Sequence, residues 1–228
     1  MRLRNILAVI GTCALAAFST ASSADLLFQI TSDHCTGGCL TGQTSGGTIV
    51  VHDNGGGSLT FTVSLLNGNQ FIQTGQDATF AFNLGSIPSI SYSGLTAGWA
   101  AVGGANPVAN GDLHMDGTGF FDYGVTCIPV ACGGGGGSPA GSSLTFTVAA
   151  AGLDLTDLTA NADGQFFGMD IISGTTGLTG FVDASVGTVC TPPVCTPQQT
   201  PEPATLALLG IALLGMSVPA IRRRRNNR

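Results

Sequence analysis

The chain has 228 residues, of which 43 % are hydrophobic and 9 % are charged, and 35 of them are glycine. It has no lysine, its seven arginines lie at the two ends, and all thirteen acidic residues lie between Asp25 and Glu202. A segment with this charge repels the phosphates of nucleic acids, so nucleic-acid binding is excluded.

The N-terminal residues have the three parts of a secretory signal peptide. Arg2 and Arg4 precede an apolar run over residues 6–18, and the small residues Ser22 and Ala24 follow it. This order predicts a signal peptide over residues 1–24, cleaved after Ala24.

Residues 25–195 have the sequence pattern of short strands. Apolar residues alternate with polar ones in "SLTFTVSLL", "ATFAFNL" and "TGFVDASVGTV", which predicts half-buried strands. Turn signals such as "DNGGG", "NGN", "ANGD" and "NADG" separate the runs, and no stretch keeps a helical period. The pattern predicts a secreted all-β domain, an antiparallel β-sandwich of jelly-roll-like form.

One hexapeptide occurs twice in this domain. "SLTFTV" covers residues 58–63 and again residues 143–148, and a pair of cysteines precedes each copy. The flanking sequences differ, so two interpretations stay open: an internal duplication, or two strands that meet the same packing requirement.

Six cysteines remain after the signal peptide is removed, and they form three close couples. An even number in an oxidising compartment indicates disulfides, and glycines and prolines inside each couple favour local pairing. Metal binding, with His34 beside Cys35, and free or longer-range cysteines are the alternatives. The couples are Cys35 with Cys39, Cys127 with Cys132, and Cys190 with Cys195.

Two acidic stretches are candidates for binding a cation. Asp112, His114 and Asp116 alternate, so on a strand they share one face and could hold a metal ion, although a solvated strand edge is the favoured interpretation. The second stretch contains Asp154, Asp157, Asn161, Asp163 and Asp170. Thr159 stands where an EF-hand requires its first Asp, but carboxylates in loops could still bind calcium. No other cofactor is expected.

Catalytic motifs are missing from the sequence. It contains no Gly-x-Ser-x-Gly, no His-Glu-x-x-His and no phosphate-binding loop. Because these motifs are missing, we expect that the protein is not an enzyme. Tyr92, Trp99 and Tyr123 could bind carbohydrate if they were exposed, but we expect these aromatic residues to fill the core or its rim.

The C-terminal residues predict a membrane helix. After a linker over residues 196–203, residues 204–221 are mostly apolar and would form a helix of about 27 Å, close to the roughly 30 Å of a bilayer core. Arg222, Arg223, Arg224 and Arg225 begin a basic tail over residues 222–228, which we place in the cytoplasm.

The motif before this helix resembles a known sorting signal. Pro201, Glu202 and Pro203, followed by the apolar helix and the arginines, look like the PEP-CTERM signal of Gram-negative bacteria that make extracellular polysaccharide. The resemblance implies recognition by exosortase, a membrane-embedded cysteine transpeptidase.

These features together predict an exported protein that is held transiently in the inner membrane and then delivered to the cell surface or extracellular matrix. The predicted role is structural or adhesive, in exopolysaccharide or biofilm. A carbohydrate- or calcium-binding module of the cell surface is the alternative, and an enzyme ranks third.

Overall fold

The computed structural model of the protein describes residues 25–75, 77–128, 132 and 138–184, and the backbone of residues 187–190. The predicted signal peptide and the residues after Cys190, with the predicted membrane helix, lie outside this part. Within it, no helix is long and apolar enough to cross a membrane.

The described part of the chain is all-β, apart from one 3-10 turn at Leu155–Asp157. Every pairing between the strands of residues 25–184 is antiparallel. The strands are β1 (Asp25–Ile30), β2 (Ser32–Asp33), β3 (Gly47–Asp53), β4 (Ser58–Leu65), β5 (Gln70–Phe71), β6 (Phe80–Leu84), β7 (Ser91–Ser93), β8 (Trp99–Ala101), β9 (Leu113–Met115), β10 (Gly119–Phe121), β11 (Tyr123–Cys127), β12 (Ser143–Ala149), β13 (Leu158–Thr159), β14 (Phe167–Ile172), β15 (Thr179–Ala184) and β16 (Gly187–Cys190).

These strands form two large sheets and one hairpin. The first sheet has the order β16-β1-β3-β4-β12-β7. The second sheet has the order β2-β15-β14-β6-β11-β8, with β13 paired to β6 and β5 paired to β14. Strands β9 and β10 pair with each other as a separate hairpin. The prediction of an all-β antiparallel domain is confirmed.

The alternation in the repeated hexapeptide determines which side chains are buried. In β4, Leu59, Phe61 and Val63 are fully buried, whereas the Ser and Thr residues between them face outward. Strand β12 repeats this pattern, and the two copies lie side by side with Phe61 directly opposite Phe146.

Aromatic rings connect the buried faces of the two large sheets. Phe61 of the first sheet lies 4.8 Å from Phe82 of the second, and Phe28 lies 4.8 Å from Phe167. Side chains of both sheets belong to one continuous apolar core. Each fully buried Phe contributes about 1.5–3 kcal/mol through removal of its surface from water, so this ring cluster is a main source of stability.

The hairpin β9–β10 covers the other face of the second sheet. Its buried residues Leu113, Met115 and Phe121 pack with Ala81 of β6 and Phe181 of β15 in a second apolar cluster. Strand β6 is therefore buried on both faces, and the expectation that "ATFAFNL" is half-buried is wrong. Alternation fails there because a distant part of the chain covers the outer face.

Candidate functional site

The loop from Cys35 to Cys39 is closed by a disulfide and held by one carboxylate. Oδ1 of Asp33 accepts the backbone N–H groups of Cys35 at 3.0 Å and Cys39 at 3.1 Å, and Oδ2 accepts that of Leu40 at 2.7 Å. The Cα atoms of the two cysteines lie 5.5 Å apart. The local pairing predicted for this couple is confirmed. The hydrogen bonds to Asp33 hold the same loop in addition to the disulfide.

The second couple is also paired locally. Cys127 ends β11 and bonds to Cys132, with their Cα atoms 5.7 Å apart, and both side chains are buried. For the third couple, the structure describes the backbone of Cys190 only, and Cys195 lies outside the described residues. Its pairing stays a prediction.

A buried aspartate and a histidine meet next to the first disulfide loop. Asp183 of β15 is fully buried, and its Oδ2 lies 2.6 Å from Nε2 of His34. Burial raises the pKa of Asp183, and the hydrogen bonds from Ser32 and His34 counteract that effect. The Ser32 hydroxyl lies 3.1 Å from the same Nε2 atom.

This Ser, His and Asp set does not have the geometry of a serine hydrolase. A catalytic histidine contacts the carboxylate through one ring nitrogen and the serine through the other. Here both partners contact Nε2 of His34, so the ring cannot pass a proton from Ser32 toward Asp183. The set stabilises the junction of β2 with β15.

Asp170 is a second buried carboxylate in the same sheet. It is fully buried in β14, and its Oδ2 accepts the backbone N–H and the hydroxyl of Thr74 at 2.6 and 2.7 Å. Its Oδ1 has no hydrogen-bond partner among the described residues. Burial raises the pKa of Asp170 to about 6, although the bonds from Thr74 act against the rise.

The predicted metal ligands Asp112, His114 and Asp116 lie on the hairpin. His114 is in β9 and packs against Phe120 of β10 with ring centroids 4.7 Å apart and the rings tilted by 38°. The two aspartates, directly before and after β9, are exposed. Phe120 leaves 57 % of its surface exposed. Metal binding by these three residues stays a prediction.

A different group among the described residues has the spacing of a metal site. Ligand atoms of Asp33, Cys35 and Cys39 all lie within 4.8 Å of one another, and in the described part of the chain no other set of three His, Cys, Asp or Glu residues does so. The cysteine spacing pointed to this loop, but nothing in the sequence indicated that Asp33 bonds across it.

The second acidic stretch folds as a 3-10 turn followed by two strands, β13 and β14. Asp154 caps the 3-10 turn, and Asp157 bonds back to the backbone N–H of Asp154. Asn161 closes a loop by accepting the backbone N–H groups of Asp163 and Gln165. Asp170 belongs to β14 and is buried, so it is separated from the exposed acids of this stretch. Calcium binding by the loop stays a prediction.

The three aromatic candidates belong to the core. Trp99 and Tyr123 are 6 % and 1 % exposed, and Tyr92 packs against Phe146 with ring centroids 5.9 Å apart. The hydroxyl of Tyr123 donates to the carbonyl of Ile87 at 2.6 Å, and that of Tyr92 donates to the carbonyl of Gly124. The expectation that these rings fill the core or its rim is confirmed.

Comparison with known proteins identifies the C-terminal residues. Residues 199–225 match the family model of the PEP-CTERM protein-sorting motif. No curated protein and no solved structure matches the chain.

The chain is therefore an exported protein with a sorting signal at its C-terminal end. It carries a PEP-CTERM protein-sorting motif, as the resemblance of Pro201, Glu202 and Pro203 predicted. A motif of this family implies export and membrane-associated sorting in a Gram-negative bacterium, with exosortase as the processing partner.

Proposed function

We propose that residues 25–195 form a β-sandwich with a structural or adhesive role at the cell surface or in the exopolysaccharide matrix, as part of a biofilm. The observation that supports this role is a PEP-CTERM motif placed after an all-β domain with two locally closed disulfide loops. Aromatic contacts between the two large sheets support the sandwich arrangement.

The membrane helix in this proposal is a temporary anchor. Residues 204–221 hold the exported domain at the inner membrane, with Arg222 to Arg225 on the cytoplasmic side. Exosortase then cleaves the chain near Pro201, Glu202 and Pro203, and the domain leaves the membrane.

Mass spectrometry of the mature protein from its native host tests the processing step. We expect the C-terminal peptide to end before residue 222 in the wild type and to retain Arg222 to Arg228 in a strain without exosortase. If both strains yield the intact tail, residues 204–228 form a permanent anchor and the processing proposal is wrong.

A strain without the gene tests the structural role. We expect its extracellular matrix to lose cohesion under shear and to recover when the gene is restored. The control is a gene that lacks the codons for residues 199–228, whose product should be exported but not retained in the matrix fraction. Equal cohesion with and without the gene would contradict a structural role.

Carbohydrate or calcium binding is the second candidate, and the exposed hairpin favours it. Phe120 is exposed and contacts the partly exposed ring of His114, with Asp112 and Asp116 on either side of β9. Calorimetric titration with calcium and with matrix polysaccharide tests this function. Micromolar binding that is lost on Phe120→Ala or Asp116→Asn would favour it, and no heat with either ligand would reject it.

A further inference from the structure

The Cys35–Cys39 loop has a property that its disulfide alone does not explain. Asp33 stands beside both sulfur atoms, and the three ligand atoms lie within 4.8 Å of one another. A carboxylate and two thiolates are ligands that zinc accepts, and a site with three protein ligands leaves one position for water. The group therefore has the composition of an open zinc site whenever the cysteines are reduced.

The loop keeps contacts that do not depend on the disulfide. Asp33 binds the backbone N–H groups of Cys35, Cys39 and Leu40, as described above. The carbonyl of Cys39 also accepts the Ser173 hydroxyl at 2.6 Å. These bonds hold both cysteine backbones after the sulfur–sulfur bond is broken, so the two thiols remain close together.

The size of the ring makes this disulfide a weak contributor to stability. It joins residues only four positions apart. On the chain-entropy model, closing a short loop constrains the unfolded chain less than closing a long one. Reduction of this bond therefore removes less stability than reduction of a bond between distant residues.

We propose that the reduced Cys35–Cys39 loop binds one zinc ion through both thiolates and the Asp33 carboxylate. The fourth ligand is water, because among the described residues no further His, Cys, Asp or Glu belongs to the group, and Nε2 of the neighbouring His34 is hydrogen-bonded to Asp183. The site is redox-gated, since a sulfur in the disulfide cannot act as a thiolate ligand.

The two reactions balance as follows. A water-soluble phosphine attacks the disulfide and is oxidised to phosphine oxide with oxygen from water, and the two sulfurs gain two electrons and two protons. Zinc then displaces both thiol protons, which are released to solvent. An oxidant of the thiol–disulfide type reverses the sequence by reforming the bond and expelling the metal.

The test is an alkylation footprint on the full chain in detergent, reduced with phosphine under nitrogen. Zinc at one equivalent should slow iodoacetamide labelling of Cys35 and Cys39, because the thiolate that attacks the reagent is also the metal ligand. The labelling is measured peptide by peptide by mass spectrometry. Labelling of Cys127 and Cys132 should not respond to zinc. Equal labelling of Cys35 and Cys39 with and without saturating zinc would overturn the proposal.

Two variants identify the ligands, with cadmium as a probe whose bond to thiolate absorbs in the ultraviolet. Cys35→Ser should remove the absorption that arises from this loop. Asp33→Asn keeps one oxygen for the backbone N–H groups of Cys35 and Cys39, but it loses the charge and the bond from Leu40. Its affinity for the metal should fall by about 10–100-fold. Asp53→Asn is the matched control, because Asp53 accepts the backbone N–H of Gly55 in a loop without cysteine.

Circular dichroism separates binding from folding. The reduced wild type and Asp33→Asn should keep the β-sheet signal of the oxidised protein before metal is added. If Asp33→Asn stays folded and binds cadmium as tightly as the wild type, Asp33 is not a ligand. If reduction abolishes the sheet signal and zinc does not restore it, a preformed site does not exist.

Discussion

Asp170 and Asp183 lie on one face of the neighbouring strands β14 and β15. Asp170 stands opposite Phe181, and Asp183 stands opposite Gly168, two residues before Asp170. Each carboxylate is fully buried and has an Oδ1 atom with no hydrogen-bond partner among the described residues. A buried oxygen without a partner disfavours the ionised form, so both side chains make folding depend on pH.

The substitution Asp170→Asn should remove part of that dependence. Burial raises the pKa of Asp170 from 3.8 to about 6. The folded chain therefore keeps this proton at a pH where the unfolded chain has already lost it, and stability falls as the pH rises from about 4 to about 6. The shift corresponds to a loss on the order of 3 kcal/mol above pH 6.

Urea unfolding at pH 4 and pH 7 measures this effect. The unfolding free energy of Asp170→Asn should differ less between pH 4 and pH 7 than that of the wild type. The variant should be stabilised relative to the wild type most at pH 7. Asp77→Asn in the neighbouring loop is the control, because Asp77 is exposed. Parallel profiles of unfolding free energy against pH for the wild type and Asp170→Asn would show that Asp170 does not cause the pH dependence.

For single residues, the sequence predicts contacts between residues that are close together in the chain. The pairing of Cys35 with Cys39 followed from spacing, since the residues between them can only turn back. The bond between His34 and Asp183 joins residues 149 positions apart, and no local pattern predicts it. Its single trace in the sequence is Asp183 inside the apolar run "FVDASV", where a charged residue is unusual.

Among the elements, β4 and β12 are related by a local two-fold axis. The repeated hexapeptides pair antiparallel, and Phe61 faces its own counterpart Phe146 with rings stacked 4.9 Å apart and 3° from parallel. The hydroxyls of Thr60 and Thr147 meet at 2.9 Å on the outer face. Both interpretations of the repeat predict equal packing demands on the two strands.

A double-mutant cycle tests whether the two phenylalanines act as a pair. Phe61→Leu and Phe146→Leu should each destabilise the domain, and their combined loss should differ from the sum by about 0.5–1.5 kcal/mol, the range for aromatic pairs. Urea unfolding supplies the free energies. Phe61→Leu combined with Phe121→Leu is the control, because Phe121 belongs to the second apolar cluster and its effect should add. Additivity in the Phe61 and Phe146 pair would contradict coupling.

The hairpin β9–β10 requires a glycine beneath it. A Cβ at Gly168 would lie 2.7 Å from Oγ1 of Thr118 and 2.9 Å from the ring of Phe121. Gly168→Ala should therefore lift the hairpin and cost about 1–3 kcal/mol, the usual range for overpacking. Hydrogen exchange of the amides in Leu113–Met115 should accelerate.

The rescue variant Gly168→Ala with Thr118→Ala removes the oxygen that the new methyl group meets. It should recover part of the lost protection if the clash is the cause. If the hairpin amides of Gly168→Ala exchange at the wild-type rates, the added methyl group does not clash with Thr118 and Phe121.

The hairpin also explains why alternation predicted some strands and missed others. In β4 the outer face is solvated, so "SLTFTV" alternates and is read correctly. In β6 and over residues 181–184 of β15 the outer face is covered, and the same rule fails because burial depends on a segment far away in the chain. The sheet class followed from the sequence, but the strand order did not, since nothing local specifies that β4 pairs with β12.

For the whole molecule, charge is the dominant feature. Residues 25–200 contain twelve aspartates and no lysine or arginine, because Glu202 and all seven arginines lie outside this range. Among the described residues, the carboxylates that contact a basic side chain therefore contact histidine only, Asp183 with His34 and Asp25 with His52. Repulsion among the exposed carboxylates opposes the compact state.

Salt should stabilise this domain by screening that repulsion. The Debye length falls from about 30 Å at 0.01 M to about 10 Å at 0.1 M, so the urea midpoint should rise with sodium chloride over this range. Asp77, Asp112 and Asp163 are exposed, and replacing all three with Asn should flatten the salt dependence. The range ends at 0.1 M so that ion-specific effects on apolar burial stay small. A wild-type urea midpoint that does not change with salt would show that the carboxylates are too far apart to repel one another. A midpoint that rises more steeply with salt in the triple variant than in the wild type would contradict the electrostatic explanation.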